Sequence, residues 1–61
     1  MKNDTALVGR KEIADFTGRS WNVISRWISA GNFPAKKQDG RWESDKTLIV
    51  NWRRRRLTGE L

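Results

Sequence analysis

Apolar residues recur at three- and four-residue intervals in three short stretches of this chain, and residues that start or stop helices stand between them. In the central stretch Ile24, Trp27 and Ile28 share one helical face. Ser20 precedes them as an N-cap, its hydroxyl able to accept from an orphan first-turn amide. Gly31 follows and suits the left-handed position after a helix. Asn22, Ser25, Arg26 and Ser29 then point away from the apolar face. An earlier stretch, Arg10 to Phe16, predicts a shorter helix with Gly9 at its start and Ile13 and Phe16 inward. Thr17-Gly18-Arg19-Ser20 joins the two. The last stretch, Lys46 to Leu57, puts Leu48, Ile49 and Trp52 at helical spacing, with Arg56 next on that stripe. Asp45 is its expected N-cap and Thr58-Gly59 its end.

The segment between the second and third stretches breaks the helical pattern. Pro34 lacks an amide and holds Phe33 extended. Asp39-Gly40 is a two-residue hairpin signal, since the favoured turn needs positive φ at both positions. The flanks are polar and short, predicting two or three residues per side. Trp42 is the expected anchor of this hairpin on the helices. Leu7 and Val8 predict a short extended segment before the first helix. The expected fold is therefore mainly α with a small β-hairpin: a winged helix-turn-helix of helix, turn, recognition helix, hairpin wing and C-terminal helix. Residues 1–6 read as a disordered lead-in, 7–57 as the domain and 58–61 as a tail.

Size and composition narrow the function. A chain of 61 residues is one domain, near the lower limit for folding without staples. It has no cysteine, so neither disulfides nor thiolate metal sites can help. Four tryptophans take their place, each able to bury on the order of 150–250 Å². No apolar run approaches the roughly 18 residues of a membrane span, and no signal-peptide pattern is present. The expected location is the cytoplasm, associated with the nucleoid. The net charge of +6 favours an anionic partner, nucleic acid first. Without His or Cys, and with Glu12 and Asp15 the only closely spaced acids on one helix, the chain is not expected to be an enzyme. No catalytic residue, metal ligand or cofactor is expected.

Double-stranded DNA is the partner these residues suit. A helix that enters the major groove needs small or forked polar groups outside. Asn22 matches an adenine edge, Arg26 a guanine edge or a phosphate, and Ser25 a close approach to base or backbone. Arg19 and Ser20, at the start of the helix, are placed for the backbone. Trp21 has two readings, as a cap on the core or as a first-turn contact with DNA. Lys36, Lys37 and Arg41 flank the hairpin turn and suit the minor groove or backbone. Arg53 to Arg56 form a second basic block that reads equally as phosphate contact, with Arg53, Arg54 and Arg55 the possible contacts, or as helix-end charge. Trp27, Trp42 and Trp52 read as core rather than as stacking platforms for single strands. RNA fits less well, because a groove-reading helix suits B-form DNA.

Taken together, Ile13-Ala14, Phe16-Thr17-Gly18, Ser20 through Trp27, Gly31, Phe33-Pro34, Gly40-Arg41-Trp42, Ser44-Asp45 and Trp52 resemble the small MerR-like winged helix-turn-helix family of phages and mobile elements. That family includes excisionases, AlpA-type regulators and the DNA-binding domains of some terminase small subunits. The resemblance covers about residues 7 to 57. It implies a recognition helix beginning near Ser20 and a wing around Asp39-Gly40, with DNA contacts from Trp21, Asn22, Ser25, Arg26, Lys36, Lys37 and Arg41. Trp27, Trp42 and Trp52 match structural positions. Many members carry a small or basic residue where Trp21 stands. The chain lacks the long dimerisation helix and effector domain of the MerR regulators proper, so effector sensing is not expected. Expected partners are DNA, further copies of the chain on adjacent sites, and an integrase, RNA polymerase or terminase large subunit. The alternatives are a packaging-site domain, whose arginine-rich end would lead into an oligomerisation segment, and a winged-helix adaptor that binds protein through Trp21.

Overall fold

A computed structural model describes residues 4–59. In chain order they form β1 (Ala6–Val8), α1 (Arg10–Thr17), α2 (Trp21–Ser29), β2 (Ala35–Gln38), β3 (Arg41–Asp45) and α3 (Lys46–Thr58). The three strands make one antiparallel sheet in the order β1-β3-β2. The chain is thus mixed α/β, and the sheet is larger than the expected lone hairpin. Its strands β2 and β3 run four and five residues, longer than the polar flanks suggested.

The third strand corrects the expected lead-in. Residues 1–3 of that segment lie outside the described residues, but Ala6 already pairs with Asp45, and Leu7 with Ser44. Thr5 fixes the corner: its carbonyl accepts from Lys46 N–H at 2.9 Å and its hydroxyl donates to the Asp45 carboxylate. A two-stranded ribbon is marginal alone, and a third strand with an apolar face removes that problem. Leu7 provides the face, 5% exposed.

Helix ends follow the capping residues. Asp45 caps α3, accepting from Thr47 and Leu48 N–H at 2.8 and 3.3 Å. Ser20 caps α2 more loosely, its hydroxyl 3.5 Å from Val23 N. At the other end of α2, Asn32 N–H reaches Trp27 O and Gly31 N–H reaches Ile28 O, the paired bonds of a Schellman motif. Gly31 sits there at φ 83°. The Asp39-Gly40 turn has φ of 50° and 80°, the two positive values a type I′ hairpin demands.

The core is Leu7, Ile13, Ile24, Phe33, Ile49 and Trp52. Two expected inward residues are not in it. Phe16 is 38% exposed, and Thr17 is buried instead. Both fall at helical spacing from Ile13, so periodicity alone does not choose between them. Thr17 can be buried because its hydroxyl donates to Ile13 O at 2.6 Å, leaving no orphan polar atom. Phe16 lies at the margin under the Lys46 ammonium, 5.8 Å from the ring centroid. In α3, Leu48 is 53% exposed while Ile49 and Trp52 are buried. Leu48 and Ile49 lie about 40° and 60° to either side of Trp52 on the helix, so spacing alone does not choose between them, and Ile49 is the one the core covers.

Aromatic rings tie the layers together. Trp27, Phe33 and Trp52 form a cluster, with Trp52 centroids 5.1 Å from Trp27 and 5.0 Å from Phe33. A second contact, Trp21 to Trp42 at 5.6 Å, joins the start of α2 to the sheet.

Candidate nucleic-acid interface

The buried face of α2 fixes which side chains it shows outside. Ile24 is fully buried and marks the centre of the inward face. Trp21 and Trp27 lie three residues to either side, rotated about 60° in opposite senses. Trp21 therefore leans toward Trp42 of the sheet, and Trp27 toward Trp52 of α3. Asn22 and Arg26 are exposed on the opposite side of the helix. The Trp21–Trp42 contact puts the β2–β3 hairpin beside one flank of α2, and the Trp27–Trp52 contact puts α3 beside the other.

Each flank carries a basic cleft. On the hairpin side, Lys37, Gly40, Arg41 and Trp42 line a depression together with Gly9 and Arg10. Gly9 N–H donates to Trp42 O at 2.7 Å, and this bond lays the start of α1 alongside β3. On the α3 side, Arg19, Arg53 and Arg56 line a second cleft with Trp27 and Trp52 at its base. The Arg56 guanidinium lies 4.6 Å from the Trp27 ring centroid and 5.1 Å from that of Trp52. Such a contact stabilises the observed arginine position by about 0.5–1 kcal/mol at an exposed site. Among the described residues, no ion pair engages any cation of either cleft; the pair that is present joins Lys11 and Asp15 on exposed α1.

The expected site residues fall into distinct groups. Asn22 and Arg26 are free on the outer face of α2. Ser25 is half-buried and its hydroxyl donates to Asn22 O at 3.2 Å, so its proton is engaged within the helix. Ser20 is exposed, with its oxygen occupied as the cap. Trp21 is half-buried against Trp42, a packing residue. Lys37 and Arg41 meet at one cleft, but Lys36 does not join them. It pairs in register with Glu43, and alternate strand residues point to opposite faces. Lys36 borders a different surface, beside Phe33, Ser44 and Leu48. Arg19 and Arg53 share the α3 cleft. Arg54 and Arg55 are exposed outside it.

No family model, curated protein or solved structure matches the chain.

Arg10 was not among the expected contacts, and Arg56 was expected only as a member of the basic block Arg53 to Arg56, not as one of its named phosphate contacts. Arg56 had a readable signal, since a cation on an apolar stripe that includes tryptophan is placed to stack on it. Arg10 had none, because its cleft depends on a pairing between segments more than 30 residues apart. The acids near this surface have structural partners: the Glu12 carboxylate accepts from Val8 N–H at 2.8 Å, and Asp15 pairs with Lys11. Asp45 is held below the ordinary value of 3.8, chiefly by the hydrogen bond from Thr5; desolvation opposes this next, and the amides of Thr47 and Leu48 add smaller lowering effects. It caps α3 and lies beside Leu48 and Phe33, not in either cleft. No group of three or more acids, His or Cys among the described residues is arranged to hold a metal. Nor is any helix among them long and apolar enough to cross a membrane.

Proposed function

We propose that this chain is a sequence-specific double-stranded-DNA-binding protein with a winged helix-turn-helix fold, in which α2 enters the major groove and the β2–β3 hairpin is the wing. One observation carries the reading. The exposed face of α2, with Asn22 and Arg26 outermost, runs between two basic clefts whose cations have no acidic partner. A major groove about 12 Å wide admits a helix and is bordered by phosphates on both sides. In this reading Asn22 and Arg26 read base edges. Lys37 and Arg41, with Arg10 beside them, hold the backbone on the wing side. Ser25 and Trp21 shape the helix rather than read bases. The protein acts by occupying a site and recruiting or excluding other proteins, as an excisionase-like or regulator-like factor or as a packaging-site domain.

Fluorescence anisotropy with a selected duplex and with competitor DNA tests the assignment. Asn22→Ala and Arg26→Ala are each expected to weaken specific binding by about 1–3 kcal/mol and leave competitor binding nearly unchanged. Lys37→Ala should weaken both alike and reduce the salt slope by about 1. Equal loss of specific and competitor binding in all three variants would remove base reading by α2 from the account.

A second reading, a protein-binding adaptor, is favoured by Leu57, which is 80% exposed near the end of α3. The two differ in salt response, steep for phosphate contacts and shallow for an apolar contact.

A further inference from the structure

The arginine run at the end of α3 is not a uniform charge. Four consecutive arginines on a helix point to four directions, about 100° apart. Arg53 and Arg56 line the cleft with Arg19, and Arg54 and Arg55 do not. Arg56 differs again, because its guanidinium lies over two indoles, 4.6 and 5.1 Å from their centroids. The two rings are tilted 52° to each other, so the planar guanidinium cannot lie flat on both. It carries five N–H donors in a fork, and those directed away from the rings stay available to an oxyanion. A long surface arginine ordinarily loses side-chain freedom when it binds; one already resting on Trp27 and Trp52 loses less.

We infer that the Arg19–Arg53–Arg56 cleft is a phosphodiester-binding site, in which Arg56 is held ready by Trp27 and Trp52 and grips a backbone phosphate on the α3 side of the groove. The inference rests on the DNA-binding reading of α2 and extends it. The wing-side cleft and this one would take the two strands that border the groove, one on each flank of the helix. Trp27 then has two functions: it packs against Phe33 and Trp52, and it supports a binding arginine. The sign of charge fits a phosphate, with three cations and no carboxylate along the cleft.

The test is carried out on the full chain, labelled with nitrogen-15. The tryptophan indole N–H signals and the arginine Nε–H signals are followed during titration with a duplex and, separately, with inorganic phosphate at matched ionic strength. The duplex should shift the Arg56, Trp27 and Trp52 side-chain signals, and inorganic phosphate should shift them only at far higher concentration. The salt slope of duplex binding is measured in parallel. Arg56→Ala should reduce its magnitude by about 0.9, the value of one phosphate contact on B-form DNA. Arg55→Ala should change it less. Arg56→Lys keeps the charge and loses the planar fork, so it should restore the slope without the indole shifts. If the duplex shifts α2 amides but leaves Arg56, Trp27 and Trp52 unmoved, this site is overturned and the reading of α2 stands. Equal slopes in the Arg55 and Arg56 variants would overturn it too, as would an Arg56 response to free phosphate without one to duplex. A chain that binds no duplex at all removes both proposals.

Discussion

Single side chains decide several features that pattern alone left open. Asp39 and Gly40 occupy positive φ, and a Cβ added at Gly40 meets nothing within 4 Å. The cost of Gly40→Ala is therefore backbone strain alone, about 1 kcal/mol. For a domain of this size that is a fall of roughly 4–8 °C in melting temperature, read by circular dichroism. Asp45 gives a pH signature. Its folded pKa lies below the ordinary 3.8, chiefly through the Thr5 hydroxyl. The stabilisation is thus present in full above the ordinary value and is lost as pH falls through the lowered one. Melting temperature against pH should drop at the acid end in the native chain, and Asp45→Asn should flatten that drop while lowering stability at neutral pH. Position by position, the caps Ser20, Asp45 and Gly31 were legible because their chemistry is local. The choice of Thr17 over Phe16 was not, since it turns on a hydroxyl finding Ile13 O. Trp21 was open for the same kind of reason: its partner Trp42 is remote in sequence.

The strands are joined by backbone pairing, and α2 and α3 are tied to the rest largely through rings. Trp52 touches both Trp27 and Phe33 and joins α3 to α2 and to the loop before β2. Truncating it to alanine removes on the order of 3–5 kcal/mol. A core this small rarely supplies more than that, so Trp52→Ala should be unfolded at room temperature by circular dichroism. A cooperative melt near the native temperature would contradict the packing described. Helix positions could be read from the sequence because three- and four-residue apolar spacing is a local signal. The hairpin turn was equally plain in Asp39-Gly40. The third strand was half visible: Leu7 and Val8 suggested an extended segment, but nothing local in Ala6-Leu7-Val8 names β3 as its partner. That pairing spans nearly 40 residues, and it is what brings Arg10 to the hairpin. The missed cation and the missed strand pairing thus have one physical origin.

At the scale of the whole molecule, the described residues span 33 × 25 × 18 Å. On the DNA-binding reading, so small a body would cover few base pairs, and tight specificity would call for two or more copies on one site. The candidate interface was legible in outline, because outward polar residues on α2 and cations beside the turn follow from helix phase and turn position. Its division was not. Lys36 faces away from Lys37, and Arg54 and Arg55 point away from Arg53 and Arg56, because strand alternation and helix rotation separate sequence neighbours. The central claim is base reading by α2, and selection from a random-sequence duplex pool tests it most directly. The full chain is used with excess competitor DNA, beside Asn22→Ala and Arg26→Ala. The account predicts an enriched motif of a few base pairs, with each variant losing preference at its own position. An unenriched pool, or a motif that both variants select unchanged, would contradict it.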